Sequence, residues 1–254
     1  MNVSVNSKKS REVRKDLDLK KVYTLAEAVE LVKKSAIAKF DESVDLNIML
    51  GIDGSKQNQA IRSVVTLPNG TGKTCRVAVF AKDLKADEAK AAGADIVGST
   101  DLVERIQKGD LSFDRCVATP DMMALVGKVG KLLGPKGLMP NPKLGTVTMD
   151  VTTAIKNIKL GQIEFKSDKS GIVRAGVGKV SFPTEKLIEN IKVFINALNS
   201  AKPPMVKGNY LKKMVISSSM GPGIQFSYEQ WYIVRDCGCL EEYKSSSEVI
   251  TDPT

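Results

Sequence analysis

The sequence predicts an α/β protein of two domains: a discontinuous α+β domain, and a Rossmann-like βα domain inserted into it. Three observations carry this reading. From Cys75 to about residue 160, short apolar runs alternate with helical stretches closed by glycines, the grammar of parallel βαβ units. Before residue 67 the pattern is different, an amphipathic helix beside strands of alternating polarity, and that pattern returns after Gly161. Glycines also stand where the two regimes meet, at Gly70 and Gly72 on one side and Gly161 on the other. The expected division is 1–69 plus 161–226 for the α+β domain, 70–160 for the inserted domain, and 227–254 for an acidic tail.

Taken in order, Lys8, Lys9, Arg11, Arg14 and Lys15 make a short basic arm, either a solvated terminus or a contact to nucleic acid. Thr24-x-x-Glu27 is a capping box and opens a helix whose Leu25, Ala28, Val29, Leu31 and Val32 share one face. Val44, Leu46, Ile48 and Leu50 then alternate with Asp45 and Asn47, which predicts a half-buried strand. A polar loop, Asp53 to Asn58, leads to a second strand near Arg62–Leu67. The run GTGKT at 70–74 imitates the end of a phosphate-binding loop. It fails as one, because Leu67 stands where the first glycine is required and the chain enters a strand, 75–81, where a helix is needed.

An Ala-rich helix at 83–92 ends at Gly93, strand 94–97 follows, and helix 100–108 ends at Gly109. Strand 113–118 leads into a helix opened by Thr119-Pro120-Asp121. No G-x-G-x-x-G follows the first of these strands, so a dinucleotide site is not expected. Leu133–Thr148, LGPKGLMPNPKLGTVT, holds three glycines and three prolines and is incompatible with a regular helix or central strand. A helix at about 150–160, strand 162–166, a turn at Ser167–Gly171 and strands near 172–177 and 179–182 come next. Pro183 opens a helix to about Asn199, with Leu187, Ile188, Ile191, Phe194, Ile195 and Leu198 as its stripe. Lys202-Pro203-Pro204 breaks the chain before strand 210–218, and Ser217–Gly223 turns sharply. Two strands crossing between domains at Gly70, Gly72 and Gly161 form a hinge that permits opening while resisting twist.

The chain of 254 residues has a formal charge of +9, with 42% hydrophobic and 26% charged residues, ordinary values for a globular protein with a polyanionic partner. The charge is uneven: residues 1–226 carry 36 basic and 23 acidic side chains, residues 227–254 carry 2 and 6. No acid stands between Asp121 and Asp150, where Lys128, Lys131, Lys136 and Lys143 fall, nor between Asn190 and Tyr228, where five lysines fall. Lys136 and Lys143 sit in the Gly/Pro loop, which is either a rigid connection with solvated lysines or a surface offering amides and charge to phosphate. The absence of histidine removes the usual general base and the commonest metal ligand. Cys75, Cys116, Cys237 and Cys239 form no CxxC pair, so reduced thiols are expected, with no metal and no cofactor. The first residues lack an apolar signal core and no apolar run is long enough to span a bilayer, so a cytoplasmic protein without a membrane partner is expected.

Seven stretches, in order, resemble the large-subunit ribosomal protein L-one family of the mobile rRNA stalk. They are AKFDESVDLNIMLGID at 38–53, LPNGTGK at 67–73, AGADIVG at 92–98, FDRCVATPDMM at 113–123, LGPKGLMPNPKLGTVT at 133–148, KSDKSG at 166–171 and SSSMGPG at 217–223. The resemblance runs from about Lys8 to Gly223 and is of bacterial type. It implies a non-enzymatic protein, monomeric off the ribosome, with large-subunit rRNA, exit-site tRNA and its own operon mRNA as partners. By the same resemblance the RNA contacts fall on Lys39, Phe40 and Ser43, on the turn Asp168-Lys169, and on Ser219-Met220-Gly221. Phe40 would pack a ribose or base, Ser219 would bond a 2′-hydroxyl, and Gly221 would let RNA approach the backbone. Each also has a plainer reading, Phe40 as core and Met220-Gly221 as a turn. The chain departs from the family at Ser217–Ser219, where threonines are usual, and after Gly223, where it is either an appended segment or a shifted reading frame. Two other classes share some of these features. An RNA-binding regulator acting off the ribosome would use the same contacts. A small-molecule enzyme in the βα domain would lack histidine, nucleotide fingerprint and carboxylate pair.

Overall fold

The computed structural model describes residues 18, 21–52, 61–82, 84–109, 111–204, 206 and 209–227. The basic arm, the polar loop 53–58 and the acidic tail after Ser227 lie outside the described residues. The elements begin β1 (Tyr23–Thr24), α1 (Leu25–Lys34), β2 (Ser43–Leu50) and β3 (Arg62–Thr66). The middle of the chain is β4 (Val77–Phe80), α2 (Leu84–Ala91), β5 (Ile96–Gly98), α3 (Thr100–Gln107) and β6 (Arg115–Ala118). A 3-10 turn at Pro120–Met122, α4 (Met123–Lys128), α5 (Gly130–Leu133), a second 3-10 turn at Pro142–Leu144 and α6 (Val151–Lys159) follow. The chain closes with β7 (Gln162–Lys166), β8 (Ile172–Lys179), α7 (Thr184–Ser200), β9 (Leu211–Ser218) and β10 (Ile224–Ser227).

The two ends of the chain build one core and the middle builds its own. Ala28 to Leu67 and Phe165 to Phe226 contribute to a single apolar cluster, while two further clusters draw only on residues from Val77 to Ile158. In the first region β1-β10-β9-β2-β8 form a five-stranded sheet, antiparallel except where β1 meets β10. The Thr24–Glu27 capping box is present and starts α1, whose Ala28, Val29 and Val32 are buried beneath the sheet. Helix α7 buries Leu187, Ile191, Phe194, Ile195 and Leu198, each worth about 1.5–3 kcal/mol. Phe194 meets Phe165 of β7 edge to face at 5.2 Å, tying the β3–β7 ribbon to this core. In the second region β4 is buried along its whole length between parallel β5 and β6. Ala78 and Phe80 face one helical layer, Val77 and Val79 the other, so helices cover both faces of the sheet.

Two expectations need correction, and two strands were not expected. Residues 172–179 are one strand, not two: Gly178 does not break it, and a Cβ there would stand 2.7 Å from Leu187 Cδ2, so glycine serves the close packing of α7. The segment after Thr119 is not one helix but a 3-10 turn followed by two short helices separated at Val129. Strands β1 and β10, of two and four residues, were not read from the sequence, because strands so short exist only through their neighbours.

Where the regions join, Gly70, Gly72 and Gly161 all have positive φ, at 65°, 70° and 101°. A Cβ on Gly161 would lie 2.5 Å from Gly70 Cα, so the two crossing segments pass in direct contact. Asn190, fully buried in α7, binds the first crossing: its Oδ1 accepts from Asn69 N (3.2 Å), and its Nδ2 donates to Gly70 O (3.1 Å) and Val177 O (2.8 Å). Beyond the glycines, Glu164 of β7 bridges Arg62 of β3 (2.7 Å) and Arg115 of β6 (3.4 Å), a link between the ribbon and the βα sheet.

Candidate nucleic-acid interface

Helices α1 and α7 cover one face of the five-stranded sheet, and period-two alternation sends every other side chain to the opposite face. The corner where β2 begins and β9 ends gathers six of the eight residues singled out for RNA. Val44 pairs with Ser218, so the chain leading into β2 and the chain leaving β9 emerge side by side. Ser219 Oγ accepts from Ser43 N (3.1 Å) and donates to Ser43 O (3.4 Å). Phe40 and Met220 stand 60% and 65% exposed, and Lys39 is exposed beside them. The core reading of Phe40 is thereby excluded. An exposed aromatic ring such as that of Phe40 is a platform on which a base or ribose stacks, and the exposed Met220 offers an apolar contact at the same corner.

Gly221 has a reason inside the chain. A Cβ there would lie 2.4 Å from Ser218 Oγ, which accepts the Gly221 N–H at 3.1 Å, so glycine lets the turn close over Ser218. Asp41 anchors the loop from its other side, accepting from Ser181 N (3.2 Å) and Ser181 Oγ (2.8 Å).

The sequence reading missed Glu42, the residue beneath this corner. Its side chain is 1% exposed, and its Oε1 accepts from Ile37 N (3.0 Å) and Ala38 N (2.8 Å) while its Oε2 accepts from Met220 N (3.1 Å). Burial alone would raise its pKa. The N–H of Ala38, the Ser218 hydroxyl and the N–H groups of Met220 and Ile37 together outweigh that and hold the carboxyl below its ordinary value. The signal that could have found it is the alternation of β2 continued backwards: Glu42 stands two residues before Val44, in register with the buried Val44, Leu46, Ile48 and Leu50, while Asp41 beside it is exposed.

Asp168 and Lys169 are not part of this corner. Ser43 pairs with Lys179 and Met49 with Ile172, so the 167–171 turn lies at the far end of β2, about 20 Å away at 3.3 Å per residue. There Gly171 O accepts from Leu50 N (2.9 Å), and Lys169 N donates to Asp168 Oδ1 (2.8 Å). Between the two ends runs the uncovered face of the sheet, where Asn47 pairs with Arg174 and Met49 with Lys213. Arg174 and Lys213 are exposed and were also missed. The signal that could have found them is the alternation itself, because each sits beside a buried neighbour, Val173 and Met214.

The Gly/Pro loop is a separate surface. Gly137 and Gly145 have φ of 70° and 67°, Leu133 and Leu144 are buried, and Thr146 Oγ1 accepts from Asn141 N (2.8 Å). Ala118 N donates to Thr146 O (3.0 Å), seating the loop on the end of β6, and Leu144 and Thr146 face Val64 of β3 across a narrow cleft. Lys136 is exposed; the Lys143 side chain lies outside the described residues. Among the described residues no helix is long and apolar enough to cross a membrane, and no group of His, Cys, Asp or Glu side chains is gathered to hold a metal.

This geometry, a corner exposing Lys39, Phe40 and Met220, agrees with the comparison to known families. Residues 32–222 match the model of the Ribosomal protein L1p/L10e family, a span that includes both crossing segments, the Glu42 corner and the Gly/Pro loop. The chain therefore belongs to the ribosomal protein L1p/L10e family, whose members are non-enzymatic, rRNA-binding constituents of the large ribosomal subunit.

Proposed function

We propose that this chain, of the bacterial type, holds the rRNA of the mobile stalk through the α+β region, 1–69 plus 161–226, and moves the inserted region, 70–160, against it. In this reading RNA lies along the uncovered sheet face from Lys39, Phe40 and Ser43, with Ser219, Met220 and Gly221, to Asp168 and Lys169. Arg174 and Lys213 supply phosphate contacts between the two ends. The observation that carries it is the exposure of Phe40 and Met220 on a corner held together by the hydrogen bonds of Glu42 and Ser219. The hinge is Gly70, Gly72 and Gly161, supported by their positive φ and by the anchoring of Asn69 and Gly70 to Asn190. The exposed Lys128, Lys131 and Lys136 of the inserted region are the surface offered to exit-site tRNA, whose release the chain assists. The same corner, presented with a matching hairpin in its own operon mRNA, represses translation, and off the ribosome the chain is a monomer.

The test is equilibrium binding of the full chain to a stalk rRNA hairpin at fixed salt. Phe40→Ala should weaken binding by about 1–3 kcal/mol, the worth of one stacked base, and Met220→Ala should weaken it through lost apolar contact, both with unchanged melting temperature. Unchanged affinity in both variants would refute the assignment. Co-sedimentation with the large subunit separates a ribosomal constituent from a regulator acting elsewhere.

A further inference from the structure

We infer that Glu42 is a positioning residue for RNA recognition, its carboxylate bridging the chain before β2 to the chain after β9 so that Phe40 and Met220 meet one RNA segment together. The inference rests on the proposed RNA site. Each carboxylate oxygen holds one side of the corner: Oε1 takes the N–H groups of Ile37 and Ala38, Oε2 that of Met220. The pairing of β2 with β9 ends at Val44 and Ser218, so the sheet does not itself set the spacing of residues 38–42 and 219–221. Ser219 ties the second segment to Ser43, and Glu42 ties it to the chain two to three residues ahead of Phe40. A buried charge is tolerated here because backbone amides and the Ser218 hydroxyl solvate it.

An amide cannot replace this carboxylate. Glutamine offers one accepting oxygen and one donating nitrogen, so in either orientation an N–H donor on one side of the corner faces another donor. Aspartate keeps both oxygens but is about 1.5 Å shorter, one carbon–carbon bond, and does not span both sides.

The experiment measures hairpin affinity and melting temperature for the full chain, Glu42→Gln, the pair Phe40→Ala/Met220→Ala, and the triple combination. Glu42→Gln should bind at least about tenfold more weakly, a loss of 1.4 kcal/mol. Because Glu42 acts through Phe40 and Met220, adding Glu42→Gln to the pair should cost less than about twofold. Amide resonances of Ile37, Ala38 and Met220 should shift in the free Glu42→Gln protein. Should that variant fail to fold, Glu42→Asp carries the same test, with weaker binding expected at a temperature where circular dichroism shows the variant folded. Parent-like affinity in a folded Glu42 variant, or the same loss with and without Phe40 and Met220, would overturn the inference while leaving the RNA site standing. No effect of Phe40→Ala/Met220→Ala on affinity would overturn both.

Discussion

Replacing Asn190 by alanine should cost about 3–5 kcal/mol of stability, more than any surface change in the chain. The amide is fully buried and makes three hydrogen bonds, at 2.8 Å to Val177 O, 3.1 Å to Gly70 O and 3.2 Å from Asn69 N. Val177 is buried, so its carbonyl would be left without solvent and bear the full penalty of an unsatisfied group, about 1–3 kcal/mol. Asn69 and Gly70 are half-buried and water reaches them, so each of their bonds is worth nearer 1 kcal/mol. Urea unfolding followed by circular dichroism gives the free energy, and the melting temperature should fall by roughly 2–4 °C per kcal/mol for a chain of this size. Asn190→Asp provides a sharper check. At neutral pH a carboxylate there still accepts from Asn69 N, but it turns lone pairs on two carbonyl oxygens and buries an unmatched charge. It should therefore be at least as damaging as alanine, and the difference should narrow in acid, where a protonated carboxyl donates one bond. A loss below about 1 kcal/mol for alanine, or a milder effect for aspartate at neutral pH, would show that the amide does not hold the first crossing segment as described.

Two further outcomes follow from the charges. Glu42 has its folded pKa below the ordinary 4.5, so its contribution to stability is present above that value and is lost as pH falls through the lower, folded pKa. The stability gap between the parent and Glu42→Gln, measured by urea unfolding from neutral pH into the acid carboxylate range, should accordingly shrink with acidification; a constant gap would mean that the carboxylate is not ionised in the fold. Changing Lys136 and Lys143 to glutamine should lower the salt dependence of RNA binding by at most about two phosphate contacts' worth of slope, with unchanged discrimination between specific and scrambled hairpins. Lost discrimination would make the Gly/Pro loop a base-reading element.

What the sequence by itself determined is what near neighbours decide. The capping box at Thr24, the alternation of β2, the stripe of α7 and the glycine stops at Gly93 and Gly109 all depend on residues within a few positions, and each stands where the pattern puts it. The return of the α+β grammar after Gly161 likewise foretold that the ends of the chain share one core. Tertiary structure decided the rest, because the deciding partners are remote. Gly178 lies within a strand, not at a break, since Leu187 and Phe182 crowd it. The 168–169 turn falls at the opposite end of β2 from Phe40, a matter of strand register that local residue types do not carry. Glu42 and Asn190 stand in register with buried neighbours, Val44 and Leu187, but nothing local to them supplies all the partners a buried polar group needs. An ionised or amide side chain can be buried only where its hydrogen bonds are met, and theirs are met by Met220, 178 residues away, and by Asn69, 121 residues away.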